Sequence, residues 1–179
     1  VSLVGIINAD QLINYPGFRA HERAFQLMMQ VAGRAGRKNK KGKVVIQTAN
    51  PAHPVINNVL ASDYKRMYQT EIAMRRQFQY PPFVRLIDIT LKHSKVHVIE
   101  QASLFMTNEL RRTVDGKVLG PGTPFISKIN NLYIREVLIK SSLDSSKLTR
   151  VKQALQNVID KMKTMPDFKS VSISVDVDP

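Results

Sequence analysis

The second half of the chain places apolar side chains at every second position in several short stretches. This alternation runs through residues 87–91 and 171–177, and it predicts strands with one buried face. Two further strands are predicted at 117–119, just before a Gly-Pro-Gly interruption, and at 132–140.

Two stripes with helical spacing lie between these strands, and each predicts an amphipathic helix. The resulting order, β-α-β-β-α-β, predicts a split βαβ, or ferredoxin-like, α+β domain over residues 83–179. About a hundred residues are enough to bury a core. The stripes consist of Val98, Ala102, Phe105, Met106 and Leu110, and of Leu148, Val151, Leu155, Val158, Ile159 and Met162.

The first fifty residues have a different pattern. Apolar runs at 2–8 and 43–48 predict strands buried on both faces, and a helical stripe between them begins at Ala20 and ends at Ala35. A strand–helix–strand unit is the building block of a parallel α/β sheet, but one unit alone buries too little to be a domain. We therefore expect residues 1–50 to belong to a larger α/β lobe, and the chain, which begins at Val1 within a strand, to be a fragment.

Residues 51–82 are predicted to form a helical connector. One long helix is expected from about 55 to 79, with Ile56, Leu60, Tyr64 and Met67 on its apolar side. The sequence Tyr-Pro-Pro-Phe at 80–83 ends it, because proline cannot continue a helix.

The charge is strongly positive and uneven. Lysine and arginine total 27 against 14 acidic residues, a net charge of +13, which favours a polyanionic partner such as nucleic acid. Residues 34–43 contain six basic residues and no acidic one. The sequence has no cysteine, which excludes disulfides and thiolate zinc sites. No apolar run approaches the length of a membrane span, and we expect a cytoplasmic protein.

Residues 30–37 read Q-V-A-G-R-A-G-R at the end of the predicted helix. Arg34 and Arg37 are three residues apart and so share nearly one helical face. Each guanidinium offers a planar fork of donors that fits phosphate oxygens, and Gly33 and Gly36 leave that face bare. The pattern predicts contact with a phosphate chain; the alternative is a solvated basic helix end.

Four lysines follow this motif, at Lys38, Lys40, Lys41 and Lys43. They are candidates for sequence-independent contact with DNA phosphates, and the alternative is a solvated loop. No G-x-x-x-x-G-K-[ST] motif occurs in the chain. The arginines would therefore act on a nucleotide held elsewhere, where such a side chain stabilises charge on the γ-phosphate.

No metal site is predicted, because the four histidines lack metal-ligand spacing. The last strand carries two carboxylates, Asp176 and Asp178, which are interpreted as its polar face rather than as an acid/base pair. Scattered aromatic residues are interpreted as core or turn positions. The histidines are His21, His53, His93 and His97.

Several longer motifs resemble the primosomal protein N-prime family of replication-restart helicases. V-G-I-I-N-A-D at 4–10, Y-P-G-F-R-A-H-E-R-A-F-Q-L at 15–27 and the arginine motif carry the resemblance. It continues through N-P-x-H-P-V-I at 50–56 and Y-P-P-F at 80–83, and it ends with V-D-V-D-P at 175–179.

The resemblance implies an ATP-driven helicase that unwinds DNA in the 3′ to 5′ direction and restarts stalled forks. Residues 1–50 would be the tail of its second RecA-like lobe. The resemblance assigns ATP sensing to Gln30, Gly33, Arg34 and Arg37, with Arg37 as the arginine finger. The stretch from Gly5 to Asp10 matches a motif that couples nucleotide state to the DNA strand.

The resemblance also implies ligands and partners. ATP and Mg²⁺ would be bound mainly upstream of this chain, as would zinc in the parent protein. Single-stranded and forked DNA, the single-stranded-DNA-binding protein and other primosome proteins are the implied partners, and no membrane is.

The chain departs from the family pattern at residues 130–133, where Asn-Asn-Leu-Tyr replaces a more basic stretch. This puts a DNA role for that strand in doubt, although Arg135 could compensate in part. Two other functions remain open. One is a ferredoxin-like module that binds RNA or the ribosome without catalysis, and the other is an adaptor that binds acidic protein tails.

Overall fold

The computed structural model describes residues 2–35 and 42–179. By the density of its internal contacts the chain divides into two compact units, Val1–Phe78 and Gln79–Pro179.

The first unit includes most of the segment that the sequence analysis assigns to a connector. Ile56 and Met67 from that segment lie in one buried cluster with Phe25 and Met28 from the preceding helix. The shared core joins residues 51–78 to the strand–helix–strand part. The elements of this unit are β1 (Leu3–Ile6), α1 (Ala9–Ile13), α2 (Ala20–Ala32), β2 (Lys43–Ile46), α3 (Pro54–Leu60) and α4 (Tyr64–Gln77).

Strands β1 and β2 pair in parallel, with Leu3 opposite Lys43 and Ile6 opposite Ile46. The prediction that both strands are buried on two faces is wrong for the chain as described. Ile6 packs into the core, whereas Leu3 and Val45 are more than half exposed. The reason is that the described helices of this unit cover only the face that carries Ile6.

The predicted single helix from 55 to 79 is wrong as well, because the chain breaks between α3 and α4. Ser62 has a positive φ of 52°, and the Asp63 carboxylate accepts a hydrogen bond from the Arg66 N–H at 2.9 Å. An aspartate in this position satisfies a free donor of the first turn and begins a new helix. The break leaves Tyr64 and Leu60 exposed instead of on an apolar side.

The second unit is an antiparallel sheet with two helices packed on one face. Its strand order is β4-β6-β3-β7, and β5 pairs with β6. The prediction of a mixed helix and sheet chain is therefore confirmed. The elements are β3 (Arg85–His93), α5 (Val96–Thr113), β4 (Lys117–Gly122), β5 (Lys128–Ile129), β6 (Leu132–Ser141), α6 (Ser145–Thr164) and β7 (Ser172–Val177).

The core of this unit follows the predicted stripes. Ile89 and Val137 on the sheet, and Met106 and Met162 on the helices, have no measurable solvent exposure. Among the described residues, none of the helices has both the length and the apolar character that a membrane span requires.

Asp178 does not share a strand face with Asp176, because β7 ends at Val177. The Asp178 carboxylate forms an ion pair with Arg85 and accepts a hydrogen bond from the Leu86 N–H at 2.9 Å. Its own N–H donates to the Leu86 carbonyl at 2.9 Å. The residue therefore fastens the end of β7 to the start of β3.

The face of the sheet that points away from α5 and α6 contains the half-buried Asp88, which lies opposite Asp176 in the strand register. Burial raises the pKa of Asp88, and the nearby charge of Asp176 adds to the effect. A carboxyl group with a raised pKa in the folded state stabilises the fold at acid pH, and this contribution is lost as the pH rises through that pKa. We therefore expect Asp88→Asn to raise the unfolding free energy at pH 7.

Urea unfolding at pH 5 and pH 7 measures this effect. The gain from Asp88→Asn should shrink at pH 5, where the wild-type carboxyl binds its proton more readily. Asp167→Asn, at an exposed position, is the matched control and should change little. An equal gain at both pH values would contradict the electrostatic cause.

Candidate nucleotide and nucleic-acid site

The carboxyl end of α2 carries the arginine motif. Ala24, Phe25 and Met28 bury one face of the helix, and its last turn closes where the Gly33 N–H donates to the Met29 carbonyl at 2.9 Å. Gly33 has a right-handed φ of −62°, and a Cβ atom there would stand 3.5 Å from the nearest oxygen. Neither the backbone nor the neighbouring atoms require glycine. The effect of Gly33 is that no side chain projects from the end of α2 at this position.

Gln30 and Arg34 are both exposed on this surface. Within residues 2–35 and 42–179, the Arg34 guanidinium makes no hydrogen bond or ion pair with another side chain. A guanidinium in this position is open to an incoming anion. The structure therefore places two of the predicted nucleotide-contacting residues in the solvent at the end of α2.

The other residues of the motif divide between described and undescribed parts of the chain. Arg37, Lys38, Lys40 and Lys41 lie outside the described residues. Lys43 begins β2 and is exposed.

Gly5 lies in the middle of β1, opposite Val45. A Cβ atom at this position would meet nothing within 4 Å, and the residue is exposed. No described atom therefore requires glycine at this position, and the absence of a side chain leaves the strand backbone accessible on the exposed face of the parallel pair.

Asp10, in the first turn of α1, is held by the residues that follow β2. Its two carboxylate oxygens accept hydrogen bonds from Thr48 Oγ1 at 2.7 Å and from the Ala49 N–H at 2.8 Å. These two bonds lower the pKa of Asp10, so the group stays ionised. A carboxylate repels phosphate, so any role of Asp10 at a DNA site is to position the turn at 48–50.

A recess of about 320 Å³ opens at this edge of the sheet, lined by Asn8, Asp10, Gln47, Thr48 and Ala49. It lies at the carboxyl ends of the two parallel strands, which is where open α/β sheets bind ligands. Asn8 and Thr48 were not singled out from the sequence, although each is the polar residue that ends one of the two predicted strands.

Charged contacts also join α2 to α4. The Arg75 guanidinium donates to Glu22 at 2.7 Å and lies 5.2 Å from the centre of the Phe18 ring. His21 Nδ1 lies 3.0 Å from Glu71 Oε1. That hydrogen bond raises the pKa of His21, so protonation strengthens the contact.

The structure also brings His21 and His53 together, with their ring centres 5.4 Å apart. Burial, followed by the proximity of His21, lowers the pKa of His53 and favours its neutral form. Its Nδ1 accepts a hydrogen bond from the Val55 N–H at 3.2 Å, which begins α3. In the described ranges, no three His, Cys, Asp or Glu side chains are grouped to hold a metal ion.

In the second unit, Arg135 does not replace the missing basic residues of β6. Its guanidinium lies 3.2 Å from Glu100 Oε1, and its side chain is largely buried. Asn130 and Asn131 both have positive φ angles, as a two-residue hairpin turn requires. This stretch is therefore explained by the turn between β5 and β6.

Together the two units define the class: a mixed α/β protein with an exposed arginine at a helix end beside a small parallel sheet. The family model for the primosomal protein N C-terminal domain matches residues 76–179. The chain therefore belongs to this family and corresponds to the C-terminal segment of its members.

Curated relatives match over the whole chain. The replication restart protein PriA of Bacillus subtilis is 35% identical over 181 residues, which is 100% of this chain and 22% of that protein. The PriA protein of Treponema pallidum is 35% identical over 99% of this chain and 26% of its own length. That of Synechocystis is 33% identical over 100% of this chain and 21% of its own length. The chain thus spans about a quarter of the length of these relatives.

Proposed function

We propose that this chain is the C-terminal part of an ATP-dependent 3′ to 5′ DNA helicase that restarts stalled replication forks and assembles the primosome. The observation that carries the proposal is similarity along the entire chain, including the arginine-bearing end of α2. A binding module that only mimics a helicase in its first part would not match such relatives from end to end. The isolated chain is expected to be inactive as an ATPase.

In this proposal residues 1–50 are the tail of a second RecA-like lobe. Arg34 and Arg37, with Gln30 and Gly33, face the phosphates of an ATP molecule held with Mg²⁺ by residues outside this chain. Two features support this role: Arg34 is exposed, and Gly33 has no side chain that would obstruct a ligand beside it. The face of β1 and β2 that the described helices leave exposed supports the presence of a further covering layer, and a sheet of two strands is too small to be stable without further strands at its edges.

The second unit would be the ferredoxin-like C-terminal domain. Its strand order and its β-α-β-β-α-β succession, apart from the short β5, support this assignment. Single-stranded and forked DNA, the single-stranded-DNA-binding protein and other primosome proteins are the proposed partners. The zinc site of the parent protein would lie outside this chain, and the protein would act in the cytoplasm at the nucleoid.

DNA binding tests the proposal. The chain should bind single-stranded and forked oligonucleotides, and its affinity should fall linearly on a logarithmic salt scale, because binding releases counterions. For single strands, the slope of the logarithm of affinity against the logarithm of salt concentration should become smaller in magnitude by about 3 when Lys38, Lys40, Lys41 and Lys43 are replaced with alanine. Fluorescence anisotropy from 50 to 300 mM salt measures both.

A charge-matched control carries alanine at Lys147, Lys152, Lys163 and Lys169, which are exposed in and after α6. This variant loses the same net charge at another place, so its slope should change less. Absence of binding by the wild-type chain at 50 mM salt would refute the DNA role. Equal slopes for the two variants would refute the assignment of the contact to residues 38–43.

A further inference from the structure

Helix α4 presents two tyrosines to solvent, one helical turn apart. Tyr64 is 58% exposed and Tyr68 is 51% exposed. Their rings are 26° from parallel, with centres 6.3 Å apart. Tyr64 also lies 6.3 Å from the buried Phe25 ring, which fixes one side of the pair against the core. The two rings therefore present π-faces whose positions are set by the fold.

A small recess opens beside these rings, lined by Glu22, Met67, Glu71, Ile72 and Arg75 together with the tyrosines. Both carboxylates in it have side-chain partners, since Glu22 pairs with the Arg75 guanidinium and Glu71 is hydrogen-bonded to His21. The Nε atom of Arg75 is buried and makes no hydrogen bond to any described residue. The recess therefore combines apolar walls with carboxylates that are already engaged by partners on α2 and α4.

The outer flank of the tyrosine pair is polar and basic. Lys65, Gln69 and Arg76 are exposed, and their spacing of four and seven residues places them in one stripe beside the rings. A surface on which two aromatic rings lie beside a row of basic and amide side chains differs from an apolar docking face. It is complementary to a strand that has unpaired bases on one side and phosphates on the other.

We propose that Tyr64 and Tyr68 form a stacking platform for the bases of single-stranded DNA, with Lys65 and Arg76 placed to meet its phosphates. The proposal rests on the DNA role argued above and adds a second contact surface, separate from residues 30–43. Stacking on aromatic rings tolerates any base sequence. The surface would therefore hold an unpaired strand without selecting its sequence.

Binding to two oligonucleotides of equal length tests the platform. One is a thymidine 20-mer, and the other has the same phosphates but no bases. Changing Tyr64 and Tyr68 together to alanine should weaken binding to the first about tenfold and to the second less than twofold. The double phenylalanine variant keeps the rings and should restore wild-type affinity. Fluorescence anisotropy of the whole chain at 50 mM salt gives both constants.

Tyr15→Ala is the matched control, because Tyr15 is 62% exposed outside this surface, and it should bind both oligonucleotides like the wild type. Photo-crosslinking of a 5-iododeoxyuridine strand to the wild-type chain should label the peptide that contains residues 64–68, a result that does not depend on how the variants fold. Unchanged thymidine binding by the double alanine variant, or an equal loss on both oligonucleotides, would overturn the platform while leaving the DNA role intact. Failure of the wild-type chain to bind either strand would overturn both.

Discussion

Replacing Arg37 with alanine in a full-length protein that contains this chain is expected to lower ATP hydrolysis about 10³-fold or more. Arginine fingers contribute on that scale because they neutralise charge on the phosphoryl group as it is transferred. The effect should appear in kcat more than in KM, since the interaction strengthens as the transition state forms. Arg37→Lys should restore little, because an ammonium group lacks the planar fork.

Arg34→Ala should also reduce turnover, and the structure gives this variant a clear interpretation. Its guanidinium is exposed and has no partner among the described side chains, so its removal should leave the fold unchanged. Arg23→Ala, an exposed position on the same helix, removes the same charge and should retain ATPase activity. DNA binding should remain nearly normal in all three alanine variants. Normal turnover in Arg37→Ala would refute the finger assignment.

The second large effect concerns stability. Leu110→Ala is expected to reduce the unfolding free energy of the second unit by about 3 kcal/mol. Leu110 has no solvent exposure and lies in the cluster between α5, α6 and the sheet. Removing its side chain loses the transfer free energy of the buried atoms and leaves a cavity that the packed sheet cannot fill.

Leu104→Ala on the same helix is the control, because Leu104 is 52% exposed. It should change the free energy of unfolding by less than about 0.5 kcal/mol. Urea unfolding followed by far-ultraviolet circular dichroism measures both variants. The sequence contains no tryptophan and only five tyrosines, so hydrogen exchange of the β3 and β6 amides should assign the change to this unit. Equal destabilisation by the two variants would contradict the core described for α5.

The core of the second unit was predictable because its signal is local. Strict alternation from 87 to 91 and the helical spacing from Val98 to Leu110 each identify the buried face without knowledge of any other element. Every member of the α5 stripe is at least half-buried, and Met106 and Leu110 are fully buried. Apolar residues repeat every two positions in a strand, or every 3.6 in a helix, when one face of the element is buried and the other is exposed.

The arginine motif was also recognisable from the sequence, since residue type and spacing alone predict an affinity for phosphate. The sequence pattern wrongly predicted Tyr64 on the apolar side of one helix, because the apolar period continues through residues 55–67 as if a single helix were present. The break at Ser62 and the hydrogen bond that the Arg66 N–H donates to the Asp63 carboxylate turn the second helix and expose the ring. A polar residue that begins a helix has a stronger effect on the helix boundary than a weak periodicity of apolar residues, because its side chain directly satisfies a backbone N–H donor.

The sequence by itself determined which residues are buried in the second unit, where the positive charge concentrates and which arginines are suited to phosphate. Each of these follows from residue type and short-range spacing. Only the tertiary structure decided which distant groups meet: Asp10 with Thr48, Asp178 with Arg85, and Tyr64 with Phe25. Such contacts depend on helix breaks, turns and strand register. They are set by the packing of whole elements, which no local pattern contains.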